Sequence, residues 1–192
     1  MLATVSHAAG ADGLGSLGAV GEVLAAPGPS ADRGQKMDLY GWLVGSWKLK
    51  VTEFGTEGSK LERDGEWHFW WVLEGRAIQD AWIVPSRGDA REGDAASKKN
   101  YYGTTLRTYD PKLDAWHIQW TDPVSQTYLS MIGRKVGDDI VQEGGSPNGS
   151  LIRWSFSEIK ANSFHWRGEV SADKGAIWRT NVEFSAERIS TP

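Results

Sequence analysis

The feature that most constrains this chain is a two-residue alternation of large aromatics with polar residues, repeated on one short segment after another. In Ala115–Thr121, Trp116, Ile118 and Trp120 share one parity, and His117, Gln119 and Thr121 share the other. In Ser150–Ser157, Ile152, Trp154 and Phe156 oppose Arg153, Ser155 and Ser157; in Ser163–Val170, Phe164 and Trp166 oppose His165, Arg167 and Glu169. In Ala176–Glu187, Trp178, Val182 and Phe184 oppose Arg179, Asn181 and Glu183. Successive side chains on a strand point to opposite faces, so this pattern predicts strands with one aromatic face turned inward and one polar face in water. Helices would need a period near 3.6.

Turn residues punctuate these segments at the spacing of sandwiches and barrels. Glu74-Gly75, Asp110-Pro111, Asp122-Pro123, Gly137-Asp138-Asp139 and Pro147-Asn148-Gly149 each separate two strand patterns. Asn148-Gly149 is expected to supply the two positive-φ positions of a type I′ hairpin. Pro85 to Lys99 reads as one long polar loop. The count is about ten strands, nearly all joined by short loops, which predicts an up-and-down antiparallel meander. Closing that meander into a β-barrel removes both exposed edges. The one helical pattern in the domain is Asp38–Val44, with Asp38 as N-cap and Leu39, Trp42 and Leu43 at helical spacing.

A chain of 192 residues is one domain in size, and 11 tryptophans give it much aromatic area to bury. Net charge is −4 with no basic stripe, which speaks against nucleic acid. No stretch is long and apolar enough for a membrane-spanning helix. Residues 1–36 are Ala-, Gly- and Val-rich and end near Pro27, Pro29 and Ser30. A signal peptide fails there, because no Lys or Arg precedes Arg33, and Asp12 and Glu22 interrupt any apolar core. A flexible tail over 1–36, a barrel domain over 37–192 and a cytoplasmic location are the expectations. Met37 would serve as an alternative start.

Leu43-Val44-Gly45-Ser46-Trp47 resembles the Gly-x-Trp signature that opens the barrel in the calycins, the superfamily of lipocalins and fatty-acid-binding proteins. The segment from Glu66 to Arg76 is similar to that of uncharacterised bacterial lipocalin-like domains. The resemblance spans roughly Asp38–Arg188. It implies that Trp47 plugs one barrel end below a short helix, that Arg188 from the last strand stacks across it, and that the barrel binds a small molecule.

Ten strands enclose a wider space than eight, and flat rings line a wall without filling its centre. The expected ligand wall is Trp67, Phe69, Trp82, Trp116 and Trp120 from the first half of the chain. Trp154, Phe156, Phe164, Trp166 and Trp178 complete it from the second half. Such a wall suits a small hydrophobic or aromatic molecule.

Three histidines, His68, His117 and His165, could together bind a metal, and any one could ligate haem. Each lies opposite in parity to its aromatic neighbours, so all three are expected to face outward, and neither metal nor cofactor is expected. The enzymatic alternative is an isomerase, decarboxylase or hydratase using Asp80, which shares parity with Ile78 and Trp82. Tyr102 is its expected companion, Gln79 and Glu143 weaker ones; the bland reading of Asp80 is a salt bridge to Arg76 or Arg107. A third alternative is an interaction or homo-oligomerisation module built on exposed rings.

Overall fold

Antiparallel pairing between sequence neighbours accounts for nearly all of the architecture in a computed structural model that describes residues 12–88 and 100–189. A helix α1 (Asp12–Leu24), a two-residue strand β1 (Ala25–Ala26), a 3-10 segment (Ala31–Met37) and a short helix α2 (Asp38–Gly41) precede the barrel. Its strands are β2 (Gly45–Phe54), β3 (Lys60–Val72), β4 (Ala77–Val84), β5 (Tyr101–Asp110) and β6 (Ala115–Asp122), followed by β7 (Thr127–Val136), β8 (Asp139–Gly145), β9 (Leu151–Ser157), β10 (Ser163–Ser171) and β11 (Arg179–Arg188). The sheet order is β3-β2-β11-β10-β9-β8-β7-β6-β5-β4, and a β3–β4 pairing closes the ring. The ten-stranded up-and-down barrel is therefore as expected. The loop expected over Pro85–Lys99 lies, from Asp89 onward, outside the described residues.

Local chemistry explains the turns. Asp110 Oδ1 accepts the Lys112 amide at 2.8 Å, and Asp122 Oδ1 accepts the Val124 amide at 2.8 Å, the Asx geometry that lets a short side chain stand in for a backbone turn. The Asn148-Gly149 hairpin differs from the type I′ expectation. Only Gly149 has a positive φ, 87°, and its amide bonds back to Ser146 O at 2.9 Å. Pro147 explains this, because its ring fixes φ near −65° and excludes the primed turn starting there.

The aromatic parity faces inward. Trp67, Phe69, Trp116, Ile118, Phe156, Phe164 and Phe184 are all buried. One barrel end is stoppered. Tyr40 projects from α2 into the interior, fully buried, edge-on to Trp116 at 5.0 Å, and its hydroxyl accepts a hydrogen bond from Gln142 Nε2 at 3.0 Å. Gly133 is what admits it: a Cβ there would lie 2.3 Å from the Tyr40 hydroxyl oxygen. Trp47 seals the same end. Its indole N–H donates to Leu43 O at 2.7 Å, and the Arg188 guanidinium lies 4.1 Å from its ring centroid. Arg188 also donates to Val44 O at 2.9 Å and Trp42 O at 2.6 Å, which ties the last strand to the chain entering the first.

The segment expected to be a free tail is, from Leu24 on, laid against the barrel. Ala25 and Ala26 pair with Val72 and Trp71 of β3, past the point where β2 begins. The Ser30 amide bonds Gly75 O at 2.9 Å, Arg76 pairs with Asp32 at 3.0 Å, and Lys36 reaches Asp114 at 2.6 Å. Backbone pairing of small residues leaves no hydrophobic period to read, so the boundary at 36/37 is not one of packing. A chain starting at Met37 is accordingly expected to melt several degrees below the full chain. Equal melting temperatures by calorimetry would show that these contacts are idle.

Candidate functional site

The opposite barrel end is open. Between the ring-filled lower half and the mouth lies a cavity of about 290 Å³. Its wall is a chain of rings in contact: Tyr101 with Trp82 at 5.3 Å, Trp82 with Trp120 at 5.9 Å, and Trp120 with Trp154 at 5.9 Å. The chain continues from Trp154 to Trp166 at 5.5 Å and from Trp166 to Phe184, stacked at 4.8 Å. Trp67 lines the cavity from within, stacked against Phe156 at 5.9 Å. Leu129, Ile152, Val170 and Val182 fill the gaps between rings. Gly103 shapes the wall, because a Cβ there would lie 2.2 Å from the Trp120 ring.

Polar groups sit at two levels. At the rim, Arg63 pairs with Glu53 Oε1, and the Tyr101 hydroxyl donates to Glu53 Oε2 at 3.1 Å. Burial and the neighbouring Glu53 carboxylate push the Tyr101 pKa up to about 12. Deeper down, Thr105 is buried and lines the cavity, and its amide donates to Asp80 Oδ1 at 2.8 Å. Asp80 is fully buried and paired with Arg107, also fully buried. The Arg107 guanidinium lies 5.6 Å from the Trp67 ring, 5.4 Å from Phe69 and 5.6 Å from Tyr40, rings whose faces attract it while Asp80 supplies the counter-charge. Burial raises the pKa of Asp80, and the Arg107 cation and the Thr105 amide oppose that rise.

The expected wall residues therefore divide. Trp67, Trp82, Trp120, Trp154 and Trp166 line the cavity. Phe69, Trp116, Phe156 and Phe164 are buried and are not among the residues lining it. Phe156 and Trp116 pack against Tyr40, and Phe164 packs against Trp47. Trp178 lies outside: the chain ahead of β11 turns away at a register shift between Gly168 and Glu169, and the ring packs under the Arg153 guanidinium at 3.9 Å. Asp80 forms the salt bridge to Arg107 and not to Arg76. Tyr102 is 51% exposed, and it is its neighbour Tyr101 that faces the cavity. Gln79 donates to Thr104 Oγ1 at 3.1 Å, and Glu143 pairs with Arg153; neither lines the cavity. Tyr101, Thr105 and Arg107 were missed as site groups, although they share one parity along β5.

The histidines face outward. His165 stands between Ser157 and Ser185 on neighbouring strands, and His117 bonds Asp110 at 3.1 Å. His68 joins Ser46 Oγ at 2.8 Å to Glu66 Oε2 at 2.9 Å, in the connectivity of nucleophile, base and orienting acid. Arg87 grips the same carboxylate at 2.7 Å and holds the Glu66 pKa down to about 2. This cluster lies on the outer wall, away from the cavity. Among the described residues, no group of three or more His, Asp or Glu is placed to hold a metal, and no helix is long and apolar enough to cross a membrane.

No family model and no curated protein matches the chain. Among solved structures, it is similar to Rv2717c from M. tuberculosis, with a TM-score of 0.56 and 14% identity over 81% of this chain and 98% of that one. It is also similar to the S-type phycobiliprotein lyase CPES from Guillardia theta, with a TM-score of 0.54 and 11% identity over 81% of this chain and 93% of that one. At such identities the likeness is one of fold alone, over about four-fifths of this chain.

Proposed function

We propose that the protein binds a small planar aromatic molecule in the mouth cavity. The observation that carries this reading is the run of contacting rings from Tyr101 to Phe184 around a space of about 290 Å³ that opens to water. That volume suits a molecule of one or two rings and is at the lower end for ligand pockets. A flat ligand there exchanges its hydration for stacking and edge contacts on several indoles at once. The fold likeness supports the architecture, and the cavity supports the ligand class. Asp80 belongs to a closed ion pair behind Thr105, so binding without turnover is the reading favoured over acid–base catalysis.

Ligand-observed NMR with naphthalene, titrated against the full chain, tests this. One saturable site is expected. Trp120→Ala and Trp154→Ala are expected to weaken it about tenfold or more, from the loss of stacking area. His117→Ala and Arg153→Ala, on the outer face, should leave it within a factor of two or so. Absence of saturable binding by naphthalene and by single-ring aromatics alike would overturn the reading.

A further inference from the structure

We infer that the ligand carries a hydrogen-bond acceptor oxygen on its aromatic ring, a carbonyl or a carboxylate, and turns it toward Thr105 and Trp166. This rests on the mouth cavity being the binding site.

Buried polar groups in folded proteins find partners, and those that do not point to something that completes them. Three lining side chains break the rule; one of them, Trp67, has its unpartnered indole N–H beside the Asp80 carboxylate, and the other two have no such neighbour. Thr105 is 1% exposed and Trp166 is 6% exposed, and among the described residues neither Thr105 Oγ1 nor Trp166 Nε1 has a partner. An indole N–H can only donate, and a hydroxyl can donate. Arg107, whose ring cage includes the cavity residue Trp67, has two further N–H positions, Nε and Nη2, without a partner. Of the side-chain acceptors on the wall, Glu53 takes Arg63 on one oxygen and Tyr101 on the other, Ser125 Oγ donates to Thr127 Oγ1 at 3.0 Å, and Asn181 is exposed to solvent. Two buried acceptors are unpartnered among the described residues, Asp122 Oδ2 at the end of β6 and Gln142 Oε1 beside Tyr40, and neither residue lines the cavity. The cavity thus presents stacked rings on its sides and spare donors within. A ring bearing an acceptor oxygen satisfies both, whereas a bare hydrocarbon leaves the donors dry and unpaired.

The test uses isosteres. Acetophenone and α-methylstyrene have the same shape, with a carbonyl oxygen in one where the other has a methylene. In the native protein, the carbonyl stretch of bound acetophenone is expected to shift to lower frequency than in an alkane solvent. Thr105→Val keeps shape and removes the donor. It should weaken acetophenone roughly tenfold, reduce the infrared shift, and leave α-methylstyrene unchanged. Should Thr105→Val fail to fold, Trp166→Phe removes the other donor; because it also trims the ring wall, it is read as a loss for acetophenone greater than the loss for α-methylstyrene. Benzoate names the acceptor: tighter binding than acetophenone assigns a carboxylate, weaker binding a carbonyl. An alkane-like carbonyl stretch in the bound state, or equal acetophenone affinity with and without the donor, overturns the inference while leaving the cavity as a binding site. Failure of acetophenone, α-methylstyrene and naphthalene alike to bind overturns the site itself.

Discussion

Asp80→Leu is expected to destabilise the protein by about 3–5 kcal/mol, because it strands the Arg107 cation in the barrel interior. Both side chains are fully buried, so water cannot take over from the lost partner. Arg107→Met should cost a similar amount by stranding the carboxylate. The double variant should be far less damaged than the sum of the singles, since two apolar side chains need no counter-charge. Full recovery is not expected, because the Thr105 amide that donates to Asp80 would lose its acceptor, at a cost of roughly 1–3 kcal/mol. Urea denaturation of the four proteins measures the cycle. Additive losses would mean that the two charges do not depend on each other.

Trp47→Ala is expected to cost about 3–5 kcal/mol, the range for truncating a buried aromatic. Trp47 is fully buried and holds together Leu43, Phe164 and Arg188. Arg188→Ala should cost less in packing but also release the carbonyls of Val44 and Trp42. The pair should be non-additive, because each loses part of its role when the other is gone. A double variant whose loss equals the sum would remove the stacking from the account of how this end is sealed.

The barrel was legible because its period was. Trp116, Ile118 and Trp120 cannot alternate with His117, Gln119 and Thr121 on a helix and still share a face, and the Asp-initiated turns after β5 and β6 carry their own mechanism. The site was legible only in part. Parity separates inside from outside but says nothing about depth along the barrel, so Trp116 and Trp154 read alike although one packs against Tyr40 and the other faces the mouth. Tyr40 reaches the interior from a helix, and no strand pattern announces it. Tyr101 and Tyr102 are neighbours of one residue type, and only register decides which of them looks inward. Arg107 did carry a signal: it shares parity with Thr105 and Tyr109, and a cation on an inward face calls for a buried anion. Trp178 was misplaced because a bulge resets parity, and a bulge leaves no mark in hydrophobicity.

The sheet order has a kinetic consequence. Among the ten barrel strands, each joins a sequence neighbour except at one seam, where β11 meets β2. Every other ladder joins strands consecutive in sequence, across a short turn except between β4 and β5, but the seam must bring together segments about as far apart as the domain allows. The entropy of that closure is expended before its contacts return anything, which makes the seam the natural late event in folding. Glu53 stands on one side of it, Val182 and Phe184 on the other. The cavity is therefore complete only once the ribbon's two ends have zipped, so its wall is finished by the last step of folding and opened by the first step of its reversal.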